Sequence, residues 1–177
     1  MVKRELGTLP FVAEGLGVMT PDVTALRDSY HLPGMRVLQF AFDGNLANPH
    51  LPHKYLHNLV AYTATHNNNT SRGWSDSLSD SQQRTVWQYL ARRPGGSHDI
   101  PTALIQLAWS SNATLAVSPL QDLLNLGTGA CMNVPGQGEG NWRWRYADDM
   151  LTGFTLNGCE RQQRAPAADC LLAFTHD

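Results

Sequence analysis

Short apolar stretches that alternate with helical patterns are the feature that most constrains how this chain can fold. The apolar stretches, each followed directly by polar residues, lie at 9–13, 35–42, 59–65 and 114–118. Helical patterns lie between or after them, at 21–30, 80–93, 100–110 and, as a short turn, 121–126. Parallel βα units give this alternation, and their functional groups gather at the carboxyl ends of the strands. The sequence therefore predicts an α/β fold with about four parallel βα units.

The length of the chain limits how many such units it can hold. A closed eight-stranded TIM (β/α) barrel takes about 250 residues, whereas this chain has 177. We therefore expect a partial TIM barrel or a small open sheet over residues 1–146. Beyond Arg145 the periodic pattern is lost, so residues 147–177 are predicted to form a divergent, weakly ordered tail. At the first helix, Thr20 is the expected cap and Pro21 the first helical residue.

Composition excludes some partners and compartments. The formal net charge is −2, and the chain has no basic stripe that could neutralise nucleic-acid phosphates. No apolar run reaches the roughly 18 residues of a membrane span, and the N-terminus reaches Glu14 too soon for a signal-peptide core. Cys131, Cys159 and Cys170 form an odd set without CxxC spacing, which favours free thiols. We therefore expect a cytoplasmic protein without nucleic-acid or membrane partners.

Glu14 is the first candidate site residue. It follows the apolar stretch 9–13 and is flanked by glycines at 15 and 17. We expect its carboxyl to be partly desolvated, which favours the protonated form and suits a general acid. The alternative is a loop carboxylate paired with an arginine.

His66 and the three asparagines that follow it form the second candidate group. Asn and neutral His offer both donors and acceptors, which sugar hydroxyls require, although such asparagines also cap helices and shape turns. A metal site at His50, His53, His57 and His66 is disfavoured, since a proline-containing loop without a carboxylate or cysteine pair gives zinc no fixed framework. NWRWR at 141–145 could stack on a flat ligand, or it could pack its tryptophans inward.

Several stretches, taken in order, closely resemble the C-terminal part of the amylomaltase, or disproportionating-enzyme, family of 4-α-glucanotransferases. They are AEGLGVMTPDVTALRD (13–28), LPGMRVLQFAF (32–42), NPHLPHKY (48–55), YTATHNNNTSRGW (62–74), LAWSSNATLAVSPLQDLLNLG (107–127) and MNVPGQGEGNWRWR (132–145). The resemblance implies a TIM barrel that cleaves an α-1,4 link and passes the glucan to another sugar's 4-hydroxyl by a retaining double displacement. Glu14 matches the acid/base of the family's AEDLG motif, and His66 matches the substrate-binding histidine of THDNDT. Phe40 and Asp43 fall where the family lines its sugar subsites.

The chain also departs from the family pattern. Asn67 stands where the family has the aspartate that stabilises the transition state, and Asn69 replaces the second aspartate of the motif. Gly15 replaces the aspartate of AEDLG, and Cys131 replaces an arginine. The resemblance places the family's nucleophilic aspartate in a segment that would precede this chain.

These matches and departures leave three hypotheses for the function. The first is a 4-alpha-glucanotransferase fragment, or half of a split protein, that is inactive or nearly so alone. The second is a non-catalytic remnant that binds α-glucans through His66 and aromatic residues, and the third is a drifted reading frame without function. Maltodextrin is the expected ligand, with no cofactor implied. A missing N-terminal half or self-association would cover apolar edges, since charged residues are only 16% of the chain.

Overall fold

A parallel β-sheet forms the framework of the protein. The computed structural model of the chain describes residues 11–15, 17, 19–151 and 169–173. Within them, strands pair in chain order as β1 (Gly34–Val37), β2 (Leu59–Tyr62), β3 (Leu115–Pro119) and β4 (Asp169–Ala173). Because neighbours in the sheet are also neighbours along the chain, each connection must cross over in the same sense. A segment of a (β/α) barrel has this arrangement.

Helices and single turns connect the strands. The described helices are α1 (Pro21–Ser29), α2 (Ser71–Ser77), α3 (Asp80–Tyr89), α4 (Ile100–Trp109) and α5 (Leu120–Leu123). Short 3-10 turns lie at Leu38–Phe40, Pro52–Lys54, Ser97–Asp99, Thr128–Ala130 and Asp148–Met150. None of the described helices combines the length and the apolar character that a bilayer crossing requires.

The starts of two helices follow from local sequence. At α1 the Thr20 side chain accepts a hydrogen bond from the Val23 N–H at 3.4 Å, and Pro21 occupies the first turn. This confirms the predicted start of that helix. At α3, Ser79 and Gln82 form a reciprocal capping box.

The hydrophobic core lies between the sheet and the long crossover from β2 to β3. In α4, Ile100 and Leu104 are almost completely buried, and they belong to one cluster with Val86 of α3 and with Ala61 and Ala116 of the sheet. Burial of each such aliphatic side chain stabilises the fold by about 1.5–3 kcal/mol. The crossover between β2 and β3 therefore supplies a large part of the core, together with the connection between β1 and β2.

The segment before β1 and helix α1 are poorly covered by comparison, although β1 itself is largely buried. The predicted buried strand at 9–13 is wrong over Phe11–Ala13, where the backbone forms no strand; Leu9 lies outside the described residues. A single hydrogen bond, from the Ala13 N–H to the Pro33 carbonyl at 3.0 Å, ties this segment to the chain just before β1. Phe11 and Val12 remain 48% and 43% exposed, because an apolar segment becomes a buried strand only when neighbours cover it.

The predicted regular units are also only partly right. An α/β fold with a parallel sheet is present, but four βα units are not confirmed: β1 is followed by 3-10 turns, and three helices lie between β2 and β3. The first two described strands are shorter than the apolar stretches, since the chain turns at Leu38–Phe40 after β1 and bends after Tyr62. Pro49 and Pro52 keep the β1–β2 connection from forming an α-helix.

The end of the chain contains a strand that the sequence pattern does not predict. Strand β4 pairs in parallel with β3, from Leu115 opposite Asp169 to Pro119 opposite Ala173. The remaining parts of the predicted tail, 152–168 and 174–177, lie outside the described residues.

Candidate active site

A cleft of about 300 Å³ lies at the carboxyl ends of β2 and β3. Its walls come from the ends of these strands, the loops that follow them and the segment near residue 14. The polar side chains that line it include Glu14, Tyr62, Thr65, His66, Asn68 and Gln121. In α/β folds of this type, ligands bind at the carboxyl ends of the strands. The cleft is therefore the candidate active site.

Glu14 lines the cleft, but its side chain is exposed to solvent. The partial desolvation predicted for its carboxyl is therefore absent among the described residues. It lies close to the end of β2, where Tyr62 is half-buried. Burial raises the pKa of the Tyr62 phenol, and the negative charge of Glu14 raises it further. The phenol therefore keeps its proton at neutral pH and can donate a hydrogen bond beside the carboxylate.

The loop after β2 carries the His-Asn-Asn-Asn motif, and Asn68 sets its shape. The Asn68 Oδ1 accepts hydrogen bonds from the Thr65 N–H at 3.0 Å and the Thr65 hydroxyl at 2.7 Å. This tight turn leaves His66 and Asn67 exposed, with His66 lining the cleft. Thr70 caps α2 by accepting from the Gly73 N–H at 3.1 Å. Asn68 thus has the turn-forming role, while His66 stays accessible to a ligand.

A second segment, 131–133, is bound to this motif. The Asn133 side-chain amide donates to the Asn67 Oδ1 at 2.6 Å, and the Asn133 N–H donates to the His66 carbonyl at 3.1 Å. The Cys131 thiol donates to the Asn68 carbonyl at 3.3 Å. Sequence reasoning missed Asn133 as a site residue, although it lies within a stretch that resembles the family. These contacts fix the amide oxygen of Asn67.

Asp122 is a buried acceptor that supports the motif loop, and sequence reasoning missed it, since its only signal is an acidic residue in an apolar turn. Its carboxylate is 2% exposed and accepts hydrogen bonds from the Thr63 hydroxyl at 2.7 Å and from the Ser71 N–H and hydroxyl at 2.7 and 2.6 Å. Burial raises the pKa of Asp122, and these bonds oppose the shift. The residue joins the end of β2 to the start of α2, on either side of the motif loop.

Phe40 and Asp43 lie after β1 and do not line the cleft. Phe40 contacts His50 edge to face, with ring centroids 5.5 Å apart. Asp43 is exposed, and its carboxylate accepts from the Asn45 N–H at 2.9 Å. The side-chain amide of Asn48 and that N–H lower the pKa of Asp43. The structure therefore brings Glu14 and His66 to one cleft, whereas Phe40, Asp43 and Asn67 are not among the residues that line it.

Two of the histidines considered as metal ligands, His50 and His53, have other contacts. The His50 Nδ1 accepts from the Val37 N–H at 3.0 Å, and the His53 Nδ1 lies 3.0 Å from the Tyr89 hydroxyl. Across the part of the chain that the structure describes, no three His, Cys, Asp or Glu side chains are grouped so that they could hold a metal ion.

Comparison with known proteins shows the family of the chain. The family model described as 4-alpha-glucanotransferase matches residues 1–152. The chain belongs to the 4-alpha-glucanotransferase family. Among its relatives, the 4-alpha-glucanotransferase of Synechocystis sp. is 51% identical over 144 residues, which is 81% of this chain and 28% of that protein. The enzyme of Thermus thermophilus is 46% identical over 156 residues, covering 85% of this chain and 31% of that protein.

A solved structure shows the same relationship in three dimensions. The amylomaltase from Streptococcus agalactiae in complex with acarbose superposes with a TM-score of 0.85 and is 29% identical; the match covers 92% of this chain and 33% of that one. The fold is thus that of part of an amylomaltase, in agreement with a partial barrel. The chain spans about a third or less of the length of these relatives.

Proposed function

We propose that this chain supplies the acid/base and sugar-binding part of a 4-alpha-glucanotransferase active site. In this reaction a segment of α-1,4-glucan passes from one maltodextrin to another with retention of configuration. The observation that carries the proposal is that Glu14 and His66 line the same cleft, at the carboxyl ends of the strands. The resemblance of the sequence to the family implies that Glu14 corresponds to the acid/base and His66 to the substrate-binding histidine, and the family model covers both positions.

The proposed reaction has two steps. First, a carboxylate nucleophile forms a bond to the anomeric carbon while the glycosidic bond breaks, and Glu14 gives its proton to the leaving 4-oxygen. Then the ionised Glu14 takes the proton of an incoming 4-hydroxyl, whose oxygen bonds to the anomeric carbon and releases the nucleophile. His66 would hydrogen-bond to sugar hydroxyls on the opposite wall. Glu14 is the one carboxylate among the described residues that line the cleft, so the nucleophile would come from a further segment.

In the proposed mechanism, Asn67 stabilises the transition state less well than the aspartate that the family resemblance implies at this position. Positive charge develops on the sugar ring in the transition state, and a neutral amide offsets it less than a carboxylate does. Loss of such an electrostatic contribution typically costs about 3 kcal/mol. We therefore expect the chain alone to be inactive or nearly so.

A second candidate function is non-catalytic binding of α-glucans. The single carboxylate in the described cleft lining and the amide at Asn67 favour it for the chain on its own. His66 and the neighbouring amides would still provide donors and acceptors for sugar hydroxyls.

We also propose that a further polypeptide segment packs against the exposed apolar surface of α1. Helix α1 has no buried residue, and the side chains of Val23 and Leu26, together with that of Tyr30 directly after the helix, are exposed. The remainder of a barrel would cover this apolar surface, or a second copy of the chain would do so in its absence. Gel filtration of the isolated chain should show self-association, and a monodisperse monomer would argue against it. The cytoplasm stays the predicted compartment.

The decisive experiment is complementation. The purified chain would be mixed with the N-terminal part of the Synechocystis relative, up to the start of the matching segment, and incubated with maltotriose. We expect glucose and longer maltodextrins from the Asn67→Asp form of the mixture, and at least about 100-fold less from the unmodified chain. The chain alone should give none.

Matched variants separate the outcomes. Glu14→Gln in the Asn67→Asp background should abolish turnover, and circular dichroism would show that each form is folded. Turnover by the isolated chain would overturn the proposed need for a further segment. A mixture that forms a complex but gives no product with Asn67→Asp would favour the non-catalytic alternative.

A further inference from the structure

Trp142 lies beside the cleft, against one of the residues that line it. The indole contacts the His66 imidazole, with ring centroids 5.1 Å apart and the planes tilted by 41°. Trp142 is nevertheless 48% exposed, which is unusual for so large an aromatic side chain unless part of it meets a ligand or partner. The exposed aromatic surface therefore continues the His66 wall beyond the cleft.

The backbone holds Trp142 in this place. Its φ angle is +62°, in the left-handed region that bulky residues rarely adopt, so surrounding contacts must maintain it. The Trp142 N–H donates to the Met132 carbonyl at 2.6 Å. The Asn141 side chain accepts from the Val134 N–H at 3.0 Å and donates to the Gln137 carbonyl at 2.8 Å. The loop that presents the indole is thus closed on itself and joined to the cleft wall.

The size of the cleft shows where an exposed aromatic ring would be useful. At about 300 Å³ the cleft is at the small end of ligand sites, which range over about 300–1,000 Å³. A glucan of several glucose units is longer than such a cleft, so some units must extend past its mouth. A glucose ring has apolar C–H faces that pack on aromatic rings and hydroxyl edges that need hydrogen bonds. The indole of Trp142 offers a face for the C–H groups, and the imidazole of His66 offers nitrogen atoms for hydrogen bonds with the hydroxyl groups.

We propose that Trp142 and His66 form an outer sugar subsite, in which the indole stacks on the C–H face of a glucose unit outside the cleft. The inference rests on the proposed function, since it takes an α-1,4-glucan as the ligand. It assigns Trp142 to the binding of long glucans rather than to the reaction at Glu14.

The test compares long and short glucans on the full 177-residue chain. Trp142→Gly removes the ring and leaves a residue that adopts a positive φ without strain, so the melting temperature should not fall. In calorimetric titrations we expect this variant to bind maltoheptaose about tenfold more weakly, the size of one aromatic contact, and maltose within twofold. Trp142→Phe should keep most of the maltoheptaose affinity. Tyr30→Ala, which removes an exposed aromatic ring directly after α1, should change neither affinity.

The outcomes separate this inference from the proposed function. Binding of maltoheptaose by the parent chain and by Trp142→Gly with equal affinity would overturn the outer subsite and leave the proposed function standing. An equal loss for maltose and maltoheptaose would also overturn it, because it would indicate a damaged cleft. If the parent chain binds neither sugar, both proposals fail.

Discussion

The part of the chain around β2 and β3 and the part before β1 differ in how deeply their side chains are buried. On the β2–β3 side, α3 and α4 close a core in which Leu104 and Val86 are fully buried. On the β1 side, α1 buries none of its residues, and the segment at 11–14 makes one backbone hydrogen bond to the chain before β1. The candidate site draws on both sides, because His66 follows β2 while Glu14 belongs to the loosely held segment. The proposed binding residue His66 and the proposed acid/base Glu14 therefore belong to segments that are packed to different degrees.

The largest expected effect comes from one leucine on each side. Leu104→Ala opens a cavity in the core, and such changes lower the free energy of unfolding by about 2–5 kcal/mol. Leu26→Ala makes the same chemical change at a side chain that is 60% exposed, so we expect less than about 0.5 kcal/mol. Both lie in helices, which cancels the difference in helix propensity. Urea unfolding followed by circular dichroism measures both.

Similar losses of unfolding free energy for Leu104→Ala and Leu26→Ala would contradict the conclusion that α1 is less well covered than α4. That result would mean that another chain covers α1 in solution. A dependence of the Leu26→Ala effect on protein concentration would identify self-association as the cause.

The next prediction concerns the contact between the core and the site loop. Asp122→Ala leaves the Ser71 N–H and the hydroxyl groups of Thr63 and Ser71 without their buried acceptor, so we expect a loss of about 3 kcal/mol. Asp122→Asn keeps one carbonyl oxygen, and the hydroxyl groups can rotate to accept from its NH2. We therefore expect this variant to lose less than about 1 kcal/mol in the same unfolding measurement.

A loss as large for Asn as for Ala would show that the charge of Asp122, rather than its hydrogen bonds, supports the loop. Asp28→Ala is a suitable control, since that carboxylate lies on the exposed surface of α1.

The sequence predicted local features of the fold better than features that depend on distant residues. Local signals such as Thr20 before Pro21 predicted helix starts correctly, because capping depends on adjacent residues. His66 lies in the polar stretch directly after β2 and lines the cleft. Glu14 lines the same cleft although the segment before it forms no strand. Helix α2 was missed, since its polar sequence with Gly73 has little helical pattern and is held by Thr70 and Asp122 from outside.

The other errors of prediction also concern features that depend on residues far away in the chain. Phe11 and Val12 have the sequence of a buried strand, but burial depends on neighbours that the pattern of one segment does not reveal. The contact between Trp142 and His66 joins residues far apart in the chain, and the loop at 131–145 has no periodicity from which to infer it. Local propensity was predictable, whereas contacts made by loops were not.

The smallest expected effect is a pH dependence on the β1 side. Burial lowers the pKa of His50, and the nearby charge of Arg36 lowers it further. The neutral ring accepts from the Val37 N–H, and protonation of Nδ1 would remove this bond at the end of β1. Because the pKa is lower in the folded state than in the unfolded chain, the contribution of His50 to stability is complete above pH 6.5 and is lost as the pH falls below it.

Since His50 is only half-buried, solvent screening limits this contribution to a few tenths of a kcal/mol. Urea unfolding at intervals between pH 5 and 7.5 would measure it, with His50→Gln as the variant that cannot titrate. His53→Gln, on the same loop, serves as the matched control. A slope that persists in His50→Gln would assign the pH dependence to other groups, and the end of β1 would then be stable to acid. If His50→Gln alone flattens the slope, protonation of His50 is the source of the loss of stability in mild acid.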